Sequence, residues 1–158
     1  MLPIQRILVA VDFSASSEVA AEYAVGLAER FGASVTLLHA YSFPVGVAFP
    51  GAPPLYIPGP EVMVESANEV GRQLDELRSR IHRPDVGIAI VGLEGSPKEQ
   101  ILRFADEQGF DLIVVGTHGR TGARRVLLGS VAEAVVRHSH RPVFVVHEPT
   151  EETAHTTA

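Results

Sequence analysis

The sequence predicts an α/β protein built on a parallel sheet with helices covering both faces. Five short runs rich in Val, Ile and Leu recur along the 158 residues, and helical patterns of roughly ten to twenty residues separate them. Most of the runs are apolar at consecutive positions, as in strands buried on both sides, rather than alternating.

The first strand is expected over 6–11 and closes on Asp12. A helix follows, with Ser14 as its N-cap and Gly32 at a left-handed stop. Val19, Ala20, Tyr23, Ala24, Leu27, Ala28 and Phe31 recur at helical spacing and are expected to form its buried face. The second strand is expected over 34–40. Segment 41–60, YSFPVGVAFPGAPPLYIPGP, then breaks the rhythm, because its prolines fit neither a helix interior nor a central strand. It reads either as a mobile lid or interaction loop, or as a poorly ordered insertion. The second helix is expected over 61–81, ended by Pro84, and the third strand over 86–93. Ser96-Pro97-Lys98-Glu99 has the form of a capping box with proline at the first helical position, and opens the third helix. The fourth strand is expected over 111–116, the fourth helix from Ser130 to before Pro142, and the last strand over 142–147. One domain over 1–147 accounts for all of these elements, and the tail 148–158 reads as disordered.

Composition narrows the function classes. A net charge of −6 argues against a nucleic-acid partner, which would call for clustered excess Lys and Arg. The chain has no cysteine, which excludes disulfides and thiolate metal sites. The start, MLPIQRILVAVDF, lacks the pattern of a signal peptide, and no apolar stretch approaches the ~20 residues that span a bilayer. The expectation is a soluble cytoplasmic protein with no membrane partner.

In an open parallel sheet, ligands bind outside the carboxyl ends of the strands where the strand order reverses. Strand 1 ends in Asp12, and strand 4 ends in Gly116 of the stretch GTHGRTGARRVLLGS. No GxGxxG follows strand 1 and no GKS or GKT occurs, so the dinucleotide fingerprint and the Walker A lysine are both absent. The glycines of the 116–130 stretch could let successive amides converge as an anion nest. Gly129-Ser130 then opens a helix whose first amides are unpaired. Arg120, Arg124 and Arg125 could add charge. Ser130-Val131-Ala132-Glu133 is equally a capping box, in which Glu133 would compete for the Ser130 amide. Phosphate binding and plain helix capping both stand at this point. Asp12 also has two readings: a carboxylate for ribose hydroxyls or for a phosphate-bound Mg²⁺ through water, or a polar residue closing a strand. His39, His138, His140 and His147 show no metal-ligand pattern and read as strand-end and helix-end residues. A lone His118 in a glycine loop reads as a binding or structural group, so no catalytic residue and no protein-only metal site are expected.

Taken together, these residues resemble the universal stress protein family. Gly116-x2-Gly119-x9-Gly129-Ser130 matches the family's ATP-binding pattern, G-x2-G-x9-G-S/T, at every specified position. ILVAVDFS, LLHA, VVGTHGR, LLGSVAEAVV and RPVFVV are similar to it too, so the resemblance covers nearly the whole chain outside the proline-rich segment and the tail. It implies a Rossmann-like open sheet of five parallel strands in the order 3-2-1-4-5, binding ATP, with Mg²⁺. It places Ala10, Val11 and Asp12 at adenine and ribose, with Asp12 on the ribose, and Ala40 in the adenine pocket. Val115, Gly116, His118 and Gly119 would flank ribose and phosphates, with Arg120 beside them, while Gly129, Ser130 and Val131 would cradle the phosphates. The resemblance also implies a homodimer through the last strand, Val143, Phe144, Val145 and Val146. Members act mostly as binding or signalling proteins in stress responses, so a nucleotide-dependent regulator is expected. Two alternatives are a slow Mg-dependent ATPase or nucleotidyl transferase, and a nucleotide-independent module capturing an unidentified protein with the 41–60 loop.

Overall fold

The structure is a computed structural model describing residues 3–43, 58–117 and 128–148. Its elements alternate along the chain: β1 (Arg6–Ala10), α1 (Ala15–Phe31), β2 (Ser34–Tyr41), α2 (Pro60–Arg80), β3 (Ile88–Glu94), α3 (Pro97–Glu107), β4 (Leu112–Gly116), α4 (Ser130–His138) and β5 (Val143–Val146). All five strands are parallel, in the order β3-β2-β1-β4-β5. The order therefore reverses between β1 and β4, which pair directly through Ile7–Leu112, Leu8–Ile113 and Val9–Val114.

Strand alternation divides the core into two layers. Ile7, Val9, Val35, Leu37 and Val114 face α1 and α2, while Leu8, Leu38, Ile113 and Val115 face α3 and α4. The central strands β1 and β4 are buried on both sides, which is why they read as continuous apolar runs. The edge strands β3 and β5 are less buried, each mixing exposed and half-buried positions. Asp111 fixes the start of the central pair, its carboxylate accepting from the amides of Gln5 and Arg6 at 2.9 and 3.0 Å.

Three expectations need correction. The buried face of α1 is Ala20, Ala21, Ala24, Val25 and Ala28, whereas Tyr23 and Phe31 are about half exposed, at 52% and 54%. Small side chains let the helix lie close to the sheet, and the buried stripe follows them rather than the aromatics. The 41–60 segment is trimmed at both ends, since Tyr41 completes β2 and Pro60 is the first residue of α2, where a missing amide hydrogen costs nothing. Residues 44–57 lie outside the described residues, as does 149–158 of the tail. Ser96 does precede α3 with Pro97 at its first position, but its side chain makes no capping bond, so the capping box is not closed. Ser14 and Gly32 hold the α1 caps as expected: Ser14 Oγ accepts from the Ser17 amide, and Gly32 has φ 66°.

Candidate functional site

A cleft of about 430 Å³ opens at the carboxyl ends of β1, β2 and β4, over the point where the strand order reverses. Its size is that of a small-molecule site. The end of β1 and the residues just after it deliver Ala10, Val11 and Asp12, β2 delivers Leu38 to Tyr41, and β4 delivers Val115 and Gly116. Pro97 and Ile101 of α3 form a side wall, and Ser130, Val131 and Ala132 of α4 close the far end.

The turn after β1 is held by its own polar groups. Asp12 Oδ1 accepts from the Ser14 amide at 3.0 Å and also from the Ser14 hydroxyl. The Asp12 amide donates to Ser17 Oγ at 3.3 Å, and Ser17 Oγ donates to the Ser14 carbonyl at 3.0 Å. Between Asp12 and Ser14, Phe13 takes φ 62°, a left-handed conformation uncommon outside glycine. The carboxylate is thus fixed at the cleft rather than swinging in solvent.

Gly116 has a packing reason beside its place in the cleft. A Cβ there would stand 2.5 Å from Ser16 Oγ and 2.7 Å from the Ser16 carbonyl oxygen, so only glycine lets α1 start so close to β4. Gly129 is different: its φ of −66° and ψ of 155° are open to any residue.

Ser130 is not the N-cap of α4. That position is Gly129, which has no side chain to take an amide, and Ser130 is the first helical residue. The helical ladder begins with the Glu133 amide donating to the Gly129 carbonyl at 2.8 Å. Glu133 does not fold back on the Ser130 amide; its carboxylate pairs with Arg137 at 2.7 Å. The amides of Ser130, Val131 and Ala132 therefore precede the ladder at the positive end of the helix dipole, on residues that line the cleft.

Every expected site residue within the described residues lines this one cleft: Ala10, Val11, Asp12, Ala40, Val115, Gly116, Gly129, Ser130 and Val131. His118, Gly119 and Arg120 lie outside the described residues, as do Arg124 and Arg125. The two ends of that stretch nonetheless meet, because the Gly129 amide donates to the Thr117 carbonyl at 2.7 Å and the Thr117 amide donates to Val146 at 3.0 Å. Sequence reasoning missed Thr117, Ser17, His39, Pro97 and Ile101. Thr117 sits inside the matched pattern at an unspecified position. Pro97 and Ile101 are brought in by folding from far along the chain, and the one local signal was the Ser-Pro helix start after β3. Among the described residues no group of three or more His, Asp or Glu could hold a metal ion, and no helix is long and apolar enough to cross a membrane.

An open parallel sheet with a ligand-sized cleft at its switch point, walled by apolar side chains and ended by helix amides, defines a Rossmann-like doubly wound α/β protein. Within that class the chain belongs to the universal stress protein family, whose model matches residues 3–147. A universal stress protein of Methanocaldococcus jannaschii is 35% identical over 149 residues, covering 94% of this chain and 85% of the relative. The crystal structure of a family member from Burkholderia pseudomallei is 29% identical with a TM-score of 0.67, covering 92% of this chain and 98% of that one. A universal stress protein solved in complex with cAMP is 25% identical with a TM-score of 0.63, covering 94% of this chain and 100% of that one.

Proposed function

We propose that the cleft binds an adenine nucleotide, ATP in the first instance, and that the protein is a homodimeric nucleotide-dependent regulator in a stress response. One observation carries the binding reading. The Gly129–Thr117 hydrogen bond joins the end of β4 to the start of α4, so a strand end suited to ribose and a helix start suited to phosphate share one cleft. The cAMP complex of a related protein supports an adenine nucleotide as the ligand class.

In this reading the adenine lies against Ala10, Val11, Ala40 and Val115, an apolar surface that excludes water from the ring. Asp12 accepts from ribose hydroxyls, a charge-assisted bond. The phosphates take the amides of Ser130 and Val131 at the start of α4. Mg²⁺ would enter with the phosphates and neutralise their charge, and Asp12 is the carboxylate able to reach it through water.

The test is equilibrium binding of nucleotide-stripped protein to ATP, AMP and cAMP. Wild type should bind ATP saturably, and Asp12→Ala should weaken it by about tenfold or more, the worth of one charge-assisted hydrogen bond. Gly129→Ala should leave stability within about 1 kcal/mol, because an N-cap exchange is mild and the backbone is permissive. Its added methyl group should still weaken nucleotide binding by crowding the phosphates. No saturable binding at millimolar ATP rejects the ATP assignment.

A further inference from the structure

His39 is a buried histidine that the nucleotide reading leaves without a role. It is 9% exposed, and alternation along β2 puts it on the same side as Val35 and Leu37, facing α1 and α2. Its Nδ1 lies 2.7 Å from the carbonyl oxygen of Val11. A carbonyl oxygen only accepts, so Nδ1 carries the proton and donates, which fixes the ring's orientation. The same ring rests against Phe13, with centroids 4.6 Å apart and planes tilted by 40°.

His39 therefore grips the chain on both sides of Asp12, at the carbonyl before it and at the ring after it. Phe13 holds φ 62°, a conformation that a bulky residue keeps only when its surroundings impose it. A leucine would fill the same space without a polar atom to bury, so a directional bond is what distinguishes histidine here.

We infer that His39 is a positioning residue, which by holding Val11 and Phe13 directs the Asp12 carboxylate at the ribose hydroxyls of a bound nucleotide. This rests on the ribose role proposed for Asp12. The test compares ATP with 2′,3′-dideoxy-ATP by titration calorimetry, with urea melts to verify folding. Wild type should prefer ATP by on the order of tenfold, the equivalent of one hydrogen bond. His39→Leu should bring that ratio close to one while dideoxy-ATP affinity stays within about twofold. His39→Asn places an amide N–H near the Nδ1 position and should keep the preference. His39→Gln, whose amide reaches the Nε2 position instead, should lose it, and it carries the test should the leucine variant not fold.

A purely structural role would lower stability or weaken both nucleotides together, leaving the ratio intact. A preserved ratio in the Leu or Gln variants overturns the inference alone. Wild type binding both nucleotides equally overturns the ribose role of Asp12 and the inference with it. Wild type binding neither overturns the nucleotide reading itself.

Discussion

An added methyl at Gly116 would meet Ser16 backbone atoms at 2.7 and 2.8 Å, and backbone at a helix start cannot rotate out of the way as a side chain can. Gly116→Ala should therefore cost about 1–3 kcal/mol in urea unfolding, in the range of overpacked sites. An unchanged midpoint would show that α1 can retreat freely. Gly129 makes a contrast, since its backbone is permissive and its expected effect falls on ligand binding. Both glycines stand in one sequence pattern, yet for Gly116 the close approach of α1 supplies a reason that no pattern displays. Ser14 offers a third case: its hydroxyl serves the Ser17 amide and Asp12 Oδ1 together. Ser14→Ala should cost about 1 kcal/mol as a lost cap, and it should also weaken ATP binding, because Asp12 loses a partner. Urea melts and ATP titrations on one preparation separate the two effects.

Helices and strands were legible where local chemistry decides them, and their rotation and partners were not. Ser14, Gly32 and Pro97 mark helix ends by the bonds the backbone can or cannot make, and the structure keeps all three. Helical spacing in α1 put Tyr23 and Phe31 on the expected buried face, whereas close contact with the sheet turns Ala21 and Val25 inward instead. Likewise Glu133 was expected to compete for the Ser130 amide, and its carboxylate pairs instead with Arg137 one turn along the helix. The junction of α3 with β5 yields a prediction of its own kind. Asp106 accepts from His140 Nδ1 at 3.0 Å and from Arg141 Nε at 3.1 Å. The bond from His140 first, and that from Arg141 second, hold its carboxyl below the usual carboxylate range. A carboxyl depressed on folding stabilises the fold fully above its unfolded value of about 3.9, and that contribution is lost as pH falls through the lower folded value. Asp106→Asn should therefore melt slightly below wild type at about pH 5–7, with a small difference because the pair is exposed. The two melting curves should converge in stronger acid. A difference that persists at about pH 2 would assign the loss to something other than this carboxylate.

At the scale of the whole molecule, alternating strands and helices establish a parallel sheet but not where the chain turns back. β1, β2 and β3 run outward in sequence, and the chain then returns to the other side of β1 to lay down β4 and β5. No residue announces that return, which is why the strand order came from the family resemblance, and why the Pro97–Ile101 wall of the cleft was invisible. The return also leaves β5 at an edge, with Phe144 at 40% exposure on one face and Val136 of α4 at 47% nearby in the chain. Its backbone geometry makes the proposed dimer testable. Pro142 and Val146 direct their carbonyls to β4, accepting from Ile113 and Thr117 at 3.0 Å each. By the two-residue repeat, Phe144 also faces β4, and the polar groups of Val143 and Val145 face outward. An apolar edge with outward amides is a template for a second strand. Wild type should sediment at twice the 17.0 kDa chain mass. Val145→Pro removes one outward N–H without touching the β4 ladder, a change that edge strands tolerate. It should shift the protein to monomer while its far-UV circular dichroism stays that of the wild-type fold. A Val145→Pro variant that remains dimeric would move the interface away from β5, and a monomeric wild type at micromolar concentration would remove the homodimer from the proposed function.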